Sequence, residues 1–452
     1  MVLSAVLIVK NEEARLRACL GSLAGLVDET VVVDTGSSDA TMDVARDLGA
    51  RLFSEPWQGD FSAARNRSIA EARGEWILWI DADDLVPAHG HAAIRALCAG
   101  PRDRAFSFII ENLYDNRPGQ VFRQTRLFPA RRAICFDGRI HETLSYSLAR
   151  AGLAVVPADV RIIHTGYNTA AERSAKIERN HALLLRERTR CPNDPAVLME
   201  LGNSYFQQGR FAEAVAQYRA IADLPGVERA QPDIFRSIPS LVGNAYLAAG
   251  DRCLAQEWFE RGVRDFPERM TPRYFLGKIA LDNNDADAAL AHFLAVTGMT
   301  AAVTTVAVDI SGMQANAFAY AANILLGRGD HARALALFSE ADRRFPVAAF
   351  SYGAAAQAAL RAGDGAAALS FFRKGEARGD LSAQEYSDYG VLVWETGEQE
   401  RALGLFERAL DKDPGCAVAA ENYADAAGAA HQGARASAFI AGLGARIAQG
   451  GG

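Results

Sequence analysis

The densest run of reactive side chains is Ile77-Leu78-Trp79-Ile80-Asp81-Ala82-Asp83-Asp84, an apolar stretch that ends in three carboxylates. Such a stretch reads as a strand, and carboxylates at its carboxyl end lie where open α/β sheets bind ligands. Carboxylates two residues apart on a turning backbone, here Asp81 and Asp83, can both face one hard divalent cation. Mg²⁺ or Mn²⁺ takes such oxygen ligands, with a phosphate-bearing substrate filling the remaining positions. A solvated acidic turn is the plain alternative. A second run, Val31-Val32-Val33-Asp34-Thr35-Gly36-Ser37-Ser38-Asp39-Ala40-Thr41, carries a strand into a Gly/Ser turn and a helix start. Asp34 at that strand tip can accept hydrogen bonds from a base or ribose. Its alternative is a helix-capping turn, which Ser38 and Asp39 also serve. The histidines at 89, 91, 181, 292, 331 and 431 show no ligand spacing, and no GxxxxGK[ST], GxSxG or HExxH motif occurs. NTPase, serine hydrolase and zincin chemistry therefore drop out.

These side chains need a sheet to hold them, and the first 165 or so residues supply one. Apolar runs at 2–9, 30–34, 51–54 and 76–80 alternate with helix-period segments at 12–26, 41–48 and 62–73. Continuous Val/Ile runs between helices predict a mostly parallel sheet covered on both faces. Further strands are expected at 106–111, 121–128 and 160–164.

Beyond Thr169 the texture turns Ala-, Leu- and Glu-rich, starting with one charged helix over 170–190. A frame then recurs. Leu201-Gly202-Asn203-Ser204-Tyr205 with Gly209, Ala214 and Tyr218 returns as Val242-Gly243-Asn244-Ala245-Tyr246 with Gly250, Ala255 and Phe259. The frame continues through Gly277 and Phe293, Gly329 and Phe338, Gly363 and Phe372, and Gly397 and Phe406. The shortest offset, 34 residues, is the period of a tetratricopeptide helix pair. Two longer steps imply insertions at 225–234 and 298–313. Gly and Ala let paired helices approach, while the aromatic fills the groove against the next repeat. The expected organisation is a catalytic domain over 1–168, a linker helix over 169–191, about six repeats over 192–415, and capping helices with a tail over 416–452.

Composition narrows the function classes. The 452 residues are 50% hydrophobic and 23% charged, as in an ordinary globular protein, and the net charge is -7. That balance argues against binding a nucleic-acid backbone or an anionic membrane. Six scattered cysteines without a CxxC pair, and an apolar start lacking a basic n-region, predict a cytoplasmic protein. No stretch reads as an integral membrane segment.

Val9-Lys10-Asn11-Glu12-Glu13, the segment around Asp34, Gly59-Asp60-Phe61-Ser62-Ala63-Ala64-Arg65-Asn66 and the Asp81–Asp84 turn together resemble family 2 glycosyltransferases. Those enzymes have the nucleotide-sugar-binding α/β fold called GT-A. With the all-α tetratricopeptide solenoid behind it, the chain resembles the subgroup of the sublancin S-glycosyltransferase. The resemblance implies a nucleotide-diphosphate sugar donor, most often UDP-linked, and Mn²⁺ or Mg²⁺. It places Asn11, Glu13, Asp34, Asp60 and Arg65 at the nucleotide, Asp81 by ribose and metal, and Asp83 on the metal. Phe136-Asp137-Gly138-Arg139-Ile140-His141-Glu142 resembles the acceptor-side segment of the subgroup. Inverting transfer needs a base opposite the leaving diphosphate. Glu142 is the first choice, with His141 orienting it or contacting donor, and Asp137 the alternative base. A late histidine often completes the metal shell in this fold, and His164 stands at that place.

The reading that follows is a metal-dependent inverting glycosyltransferase whose repeats hold a peptide or protein acceptor or build a homodimer. Transfer to a cell-envelope glycan or lipid-linked acceptor, and a scaffold that has lost catalysis, are the rivals.

Overall fold

The computed structural model describes residues 2–114, 117–140, 142–166, 170–300, 303–345 and 350–450. Eight strands form one sheet: β1 (Leu3–Val9), β2 (Glu29–Asp34), β3 (Arg51–Ser54), β4 (Trp76–Trp79), β5 (Asp84–Leu85), β6 (Arg104–Tyr114), β7 (Arg117–Pro129) and β8 (Ala154–His164). Their order is β3-β2-β1-β4-β7-β6-β8-β5. The β3-β2-β1-β4 half is parallel. Beyond it, β7 runs antiparallel to both β4 and β6, β6 pairs β8 in parallel, and β5 is antiparallel to β8. The sheet is therefore mixed, which corrects the expectation of a mostly parallel one. The reason is local: β6 and β7 form a hairpin, and a hairpin is necessarily antiparallel.

The parallel half reads as continuous apolar sequence because both of its faces are buried. Leu3, Ala5, Leu7 and Val9 of β1 join Trp76, Leu78 and Ile80 in one core cluster. Val6 joins Ile77 and Trp79 in the cluster on the opposite face. Helices α1 (Glu13–Ser22), α2 (Thr41–Asp47), α3 (Phe61–Glu71), α4 (His91–Cys98) and α5 (Ser145–Arg150) surround the sheet in sequence, and α6 (Ala170–Arg190) leads out of it.

Helix pairs follow: Pro195–Gln207 with Phe211–Ala222, Pro232–Ala248 with Arg252–Asp265, and Met270–Asp282 with Ala286–Thr297. Then come Ile310–Gly327 with His331–Arg344, Tyr352–Arg361 with Gly365–Arg378, and Ala383–Glu395 with Gln399–Lys412. A last pair, Ala417–Ala429 and Gly433–Gly450, occupies the stretch expected to cap the array. The turn inside a pair needs a left-handed residue, supplied by Gly209, Gly250, Gly329, Gly363 and Gly397. In the third pair Asn284 takes that conformation, which is why its register is faint in the sequence. Within a pair, Gly202 faces Tyr218, Gly243 faces Phe259, Gly277 faces Phe293 and Gly390 faces Phe406. A Cβ at any of them would lie 2.4–2.8 Å from the ring, so glycine is what allows the approach.

The chain forms two compact units, Met1–Leu276 with Met299–Ile310, and Gly277–Gly298 with Ser311–Gly452. The first helix pairs thus pack in the same unit as the sheet. Residues of the second insertion return to that sheet as well. Val121 and Val308 exchange backbone hydrogen bonds of 3.0 and 3.2 Å, and the Arg123 amide donates to the Thr304 carbonyl at 2.7 Å. β4 spans only four residues and pairs β7 from Leu127 to Pro129, so Val121 and Arg123 take their partners from the insertion. Among the described residues no helix is long and apolar enough to cross a membrane.

Candidate functional site

Strands β2, β1 and β4 lie side by side and parallel, so their carboxyl ends share one edge. The strand order reverses there, β2 on one side of β1 and β4 on the other, which opens the crevice where such sheets take ligands. Asn11 follows the tip of β1, Asp34 ends β2, and the acidic turn follows β4.

The turn is built from within. The Asp81 amide donates to Asp84 Oδ2 at 3.0 Å, and the Asp84 amide donates to the Asp81 carbonyl at 3.0 Å. Thr165, just past β8, anchors the Asp83 carbonyl through its amide and its hydroxyl at 2.8 and 2.9 Å. This brings His164 onto the turn, with Nδ1 2.8 Å from Asp84 Oδ1 and 3.4 Å from Asp83 Oδ1. One ligand atom each from Asp81, Asp83, Asp84 and His164 lies within 4.8 Å of all the others.

Two buried arginines flank the turn. Arg65 Nη2 meets Asp81 Oδ1 at 2.7 Å, and its Nε pairs with Glu142. Arg126, 1% exposed, meets Asp84 Oδ2 at 3.0 Å and Asp81 Oδ2 at 3.3 Å. Both guanidiniums lie over the Trp79 ring, at 4.2 and 3.7 Å from its centroid. Burial by itself would raise the Asp81 pKa, but Arg65, Arg126 and His164 hold it well below the usual carboxylate range. Burial pulls His164 down, and Asp83, Asp84 and Asp81 outweigh it, leaving the imidazole above its ordinary value. Cys19, whose thiol lies 3.3 Å from the Asp81 carbonyl, is pushed well above the ordinary thiol value by burial and then by the same three carboxylates. It is held as an unreactive thiol.

Four carboxylates here face two guanidiniums and one imidazole, so negative charge is in excess. That excess, together with three oxygen donors and one nitrogen donor converging, fits Mg²⁺ or Mn²⁺.

Two motifs that look separate in the sequence are one lock in the fold. Asn66 holds both backbone groups of Phe136, accepting from its amide at 2.7 Å and donating to its carbonyl at 3.0 Å. The Ser62 hydroxyl donates to the Gly138 carbonyl, and the Phe61 amide donates to the Arg139 carbonyl at 2.9 Å. With the Arg65–Glu142 pair, the first turns of α3 hold Phe136, Gly138, Arg139 and Glu142. The other side of that loop meets α6 and the first repeat helix: Ile140 packs with Leu183, Leu184 and Leu201, flanked by Trp57, Phe61 and Tyr205.

The remaining expected positions are placed as follows. Asp34 is 2% exposed, and its carboxylate accepts from the amides of Gly36 and Ser37 at 3.0–3.2 Å. Asn11, in a left-handed conformation, accepts from the Ser38 amide at 2.8 Å, and Glu13 accepts from the Ala40 amide at 2.8 Å. Both side chains thus brace the loop after β2. Asp60 caps α3 by accepting from the Ala63 amide at 3.0 Å. Asp137 sits 3.6 Å from Arg150. His141 lies outside the described residues. Arg126, Trp79 and the central part played by Asp84 were missed in the sequence. The signal was faint: Arg126 directly precedes the apolar Leu127-Phe128, yet β7 also carries Arg117, Gln120, Arg123 and Gln124, so its burial against carboxylates was not marked.

A two-faced sheet with an acidic turn at its strand-order reversal, followed by paired helices, defines an α/β nucleotide-diphospho-sugar transferase fold joined to a helical repeat array. Residues 4–137 match the family model of glycosyl transferase family 2. Residues 178–231, 243–302 and 320–383 match that of the tetratricopeptide repeat. The chain therefore carries a glycosyl transferase family 2 domain ahead of tetratricopeptide repeats. It is 40% identical over 147 residues to a TPR repeat-containing protein of Synechococcus elongatus, covering 32% of this chain and 36% of that one. It is 28% identical over 214 residues to the SPbeta prophage-derived glycosyltransferase SunS of Bacillus subtilis, covering 46% and 50%. The matches thus span between a third and a half of these relatives' own length. Among solved structures, S. aureus TarS is 17% identical, with a TM-score of 0.32, covering 56% of this chain and 54% of that one.

Proposed function

We propose that the chain is a metal-dependent inverting glycosyltransferase that moves a sugar from a nucleotide-diphosphate donor, UDP-linked, to a peptide or protein acceptor held by the repeats. The observation that carries this reading is the convergence of Asp81, Asp83, Asp84 and His164 beside the Arg65–Glu142 pair. It lies at the crevice edge of a family 2 domain, and a relative named as a glycosyltransferase supports it.

In this reading Asp83 and His164, with Asp81 beside them, hold Mn²⁺ or Mg²⁺. When bound, the ion neutralises the diphosphate and makes it a better leaving group. Asp34, with Asn11 and Glu13 bracing the loop that follows it, receives the base and ribose, and Asp60 and Arg65 complete the nucleotide pocket. The acceptor's lone pair attacks C1 of the sugar, the bond from C1 to the diphosphate oxygen breaks, and the acceptor proton passes to a carboxylate. Glu142 is that base. Its carboxylate is paired with Arg65, and the contacts of α3 with Phe136 and Gly138 fix the loop that carries it. Asp137 is the alternative base, with His141 as an aid to orientation. The catalytic domain covers 1–168, with repeats from 192 to 415. A cytoplasmic setting is supported by six free cysteines.

The test is Asp83→Ala. Removing that carboxylate should abolish turnover and Mn²⁺-assisted UDP binding, read by calorimetry, while the melting temperature stays near wild type. Turnover at the wild-type rate would refute the metal assignment.

A further inference from the structure

Arg126 stands in the interior of β7, where a strand in the middle of a sheet would ordinarily carry an apolar side chain. The β4–β7 register, Ile77 opposite Phe128 and Leu78 opposite Leu127, sets Arg126 against Trp79. Its guanidinium lies on the indole at 3.7 Å and is directed along the ring to the turn that follows β4. There it forks. Nη1 reaches Asp84 Oδ2 at 3.0 Å and the Trp79 carbonyl at 3.3 Å, and Nη2 reaches Asp81 Oδ2 at 3.3 Å. The indole is fixed in turn, since its Nε1 donates to the Thr125 carbonyl at 2.5 Å.

Two features separate this from an ordinary buried ion pair. Arg126 bridges the carboxylates on either side of Asp83, so the spacing of Asp81 and Asp84 is set by the rigid width of a guanidinium. Its Nε, meanwhile, is buried without a hydrogen-bond partner. The side chain forgoes one of its own bonds to keep the fork on the turn. A lysine could not do this, because a point charge has no fork.

We propose that Arg126, seated on Trp79, is a positioning residue of the donor site. By holding Asp81 and Asp84 at fixed separation it presents Asp83 and His164 in the arrangement that receives the divalent cation. It touches neither metal nor substrate. The inference rests on the metal-dependent reading above and deepens it.

The full-length protein, free of donor, is titrated with Mn²⁺ alone by electron paramagnetic resonance, and then with UDP in the presence of Mn²⁺. Arg126→Lys is expected to weaken Mn²⁺ binding at least tenfold and to raise the donor KM more than it lowers kcat. Leu148→Ala, a core truncation on the same face of the sheet, serves as control and should lower the melting temperature without moving Mn²⁺ affinity. Trp79→Phe keeps every charge pair and removes the indole anchor. It should weaken Mn²⁺ binding in the same direction by a smaller factor, and it gives a reading even if Arg126→Lys fails to fold. Mn²⁺ affinity within twofold of wild type in Arg126→Lys, or in Trp79→Phe, overturns the assignment. So does a loss in Leu148→Ala equal to that in Arg126→Lys. If the wild-type protein itself binds no Mn²⁺, the metal-dependent reading fails instead.

Discussion

A chain that ends at Arg190 would retain every carboxylate of the acidic turn and the contacts of α3 with Phe136, Gly138, Arg139 and Glu142. It would lose Leu201 and Tyr205, which close the cluster around Ile140, Leu183 and Leu184. Ile140 and Leu184 are 4% and 1% exposed in the full chain, so both would then face water or a void. Removing a buried leucine from its partners costs ~2–5 kcal/mol, and the lost His181–Ser204 hydrogen bond adds about 1 kcal/mol. A total of about 3–6 kcal/mol is a large part of the ~5–15 kcal/mol that stabilises a domain. It falls on the loop that carries Glu142. A chain ending at Asp282 keeps the first two helix pairs and the helix that covers them, and it shares the loss of the Thr304–Val308 segment. The expected outcome is a melting temperature roughly 10–20 °C lower for the shorter chain. Its donor hydrolysis should fall further than its Mn²⁺-assisted UDP binding, because the turn is anchored by β8 and β7 rather than by the repeats. Differential scanning fluorimetry, calorimetry with UDP and a hydrolysis assay on both chains decide it. Equal melting temperatures and equal hydrolysis rates would refute the argument and make chemistry and repeats separable at Arg190.

Glu142→Gln keeps shape and removes the proton acceptor, so donor binding should survive while transfer falls about 10²-fold or more; an unchanged rate in a single-turnover assay would move the base to Asp137. Gly243→Ala sets a Cβ 2.6 Å from the Phe259 ring. The overpacking, about 1–3 kcal/mol, should outweigh a helix-propensity gain of ~1 kcal/mol, and a raised melting temperature would contradict that. Asp28 is held below the ordinary carboxylate range by Arg95 and then by the Leu3 and Val2 amides. Its contribution is present above the unfolded value of about 3.9 and is lost as pH falls below it. Asp28→Asn should therefore melt lower than wild type at pH 7, the loss being at most about 1 kcal/mol for so exposed a pair, and in thermal scans the gap should narrow below about pH 4 and close only as pH falls through the lowered folded value. A gap that widens in acid would reverse the assignment.

Much of the site was legible because its residues cluster along the chain. Asp81, Asp83 and Asp84 stand in one turn, and Asp34 ends a β-branched run, so strand patterning alone puts them on one edge. His164 lies 80 residues from Asp84, and resemblance brought it to the turn, as the structure does. Arg126 was not legible, since its role depends on β7 lying antiparallel beside β4, a pairing between segments about fifty residues apart that periodicity does not encode. The run around Asn66 and the run around Gly138 were each read as binding motifs. That one grips the other is a long-range fact: the side chains of Asn66 and Ser62 bond to backbone groups of the loop, whose partners no residue type announces. The second insertion did carry a signal, Val303-Thr304-Thr305-Val306-Ala307-Val308, a β-branched run that could have been read as an added strand.

That returning segment bridges to β7 at Val308 and ties part of the repeat array down. Between Arg190 and Thr304 the chain is a closed circuit, leaving the sheet domain through α6 and returning to hydrogen-bond with β7 at Val121 and Arg123. The Asp233 carboxylate, at the start of the second helix pair, fastens the return by accepting from Thr305 and pairing with Arg269. A circuit with both ends fixed admits no change in its number of units. An extra 34-residue pair inserted there would have to break either the backbone hydrogen bonds of Thr304 and Val308 to β7 or the packing of Leu201. From Ser311 onward the helices belong to the other compact unit, and pairs added or removed there leave the circuit intact. Repeat swapping should therefore begin past Ser311, where helix pairs can be exchanged without disturbing the part that is tied down.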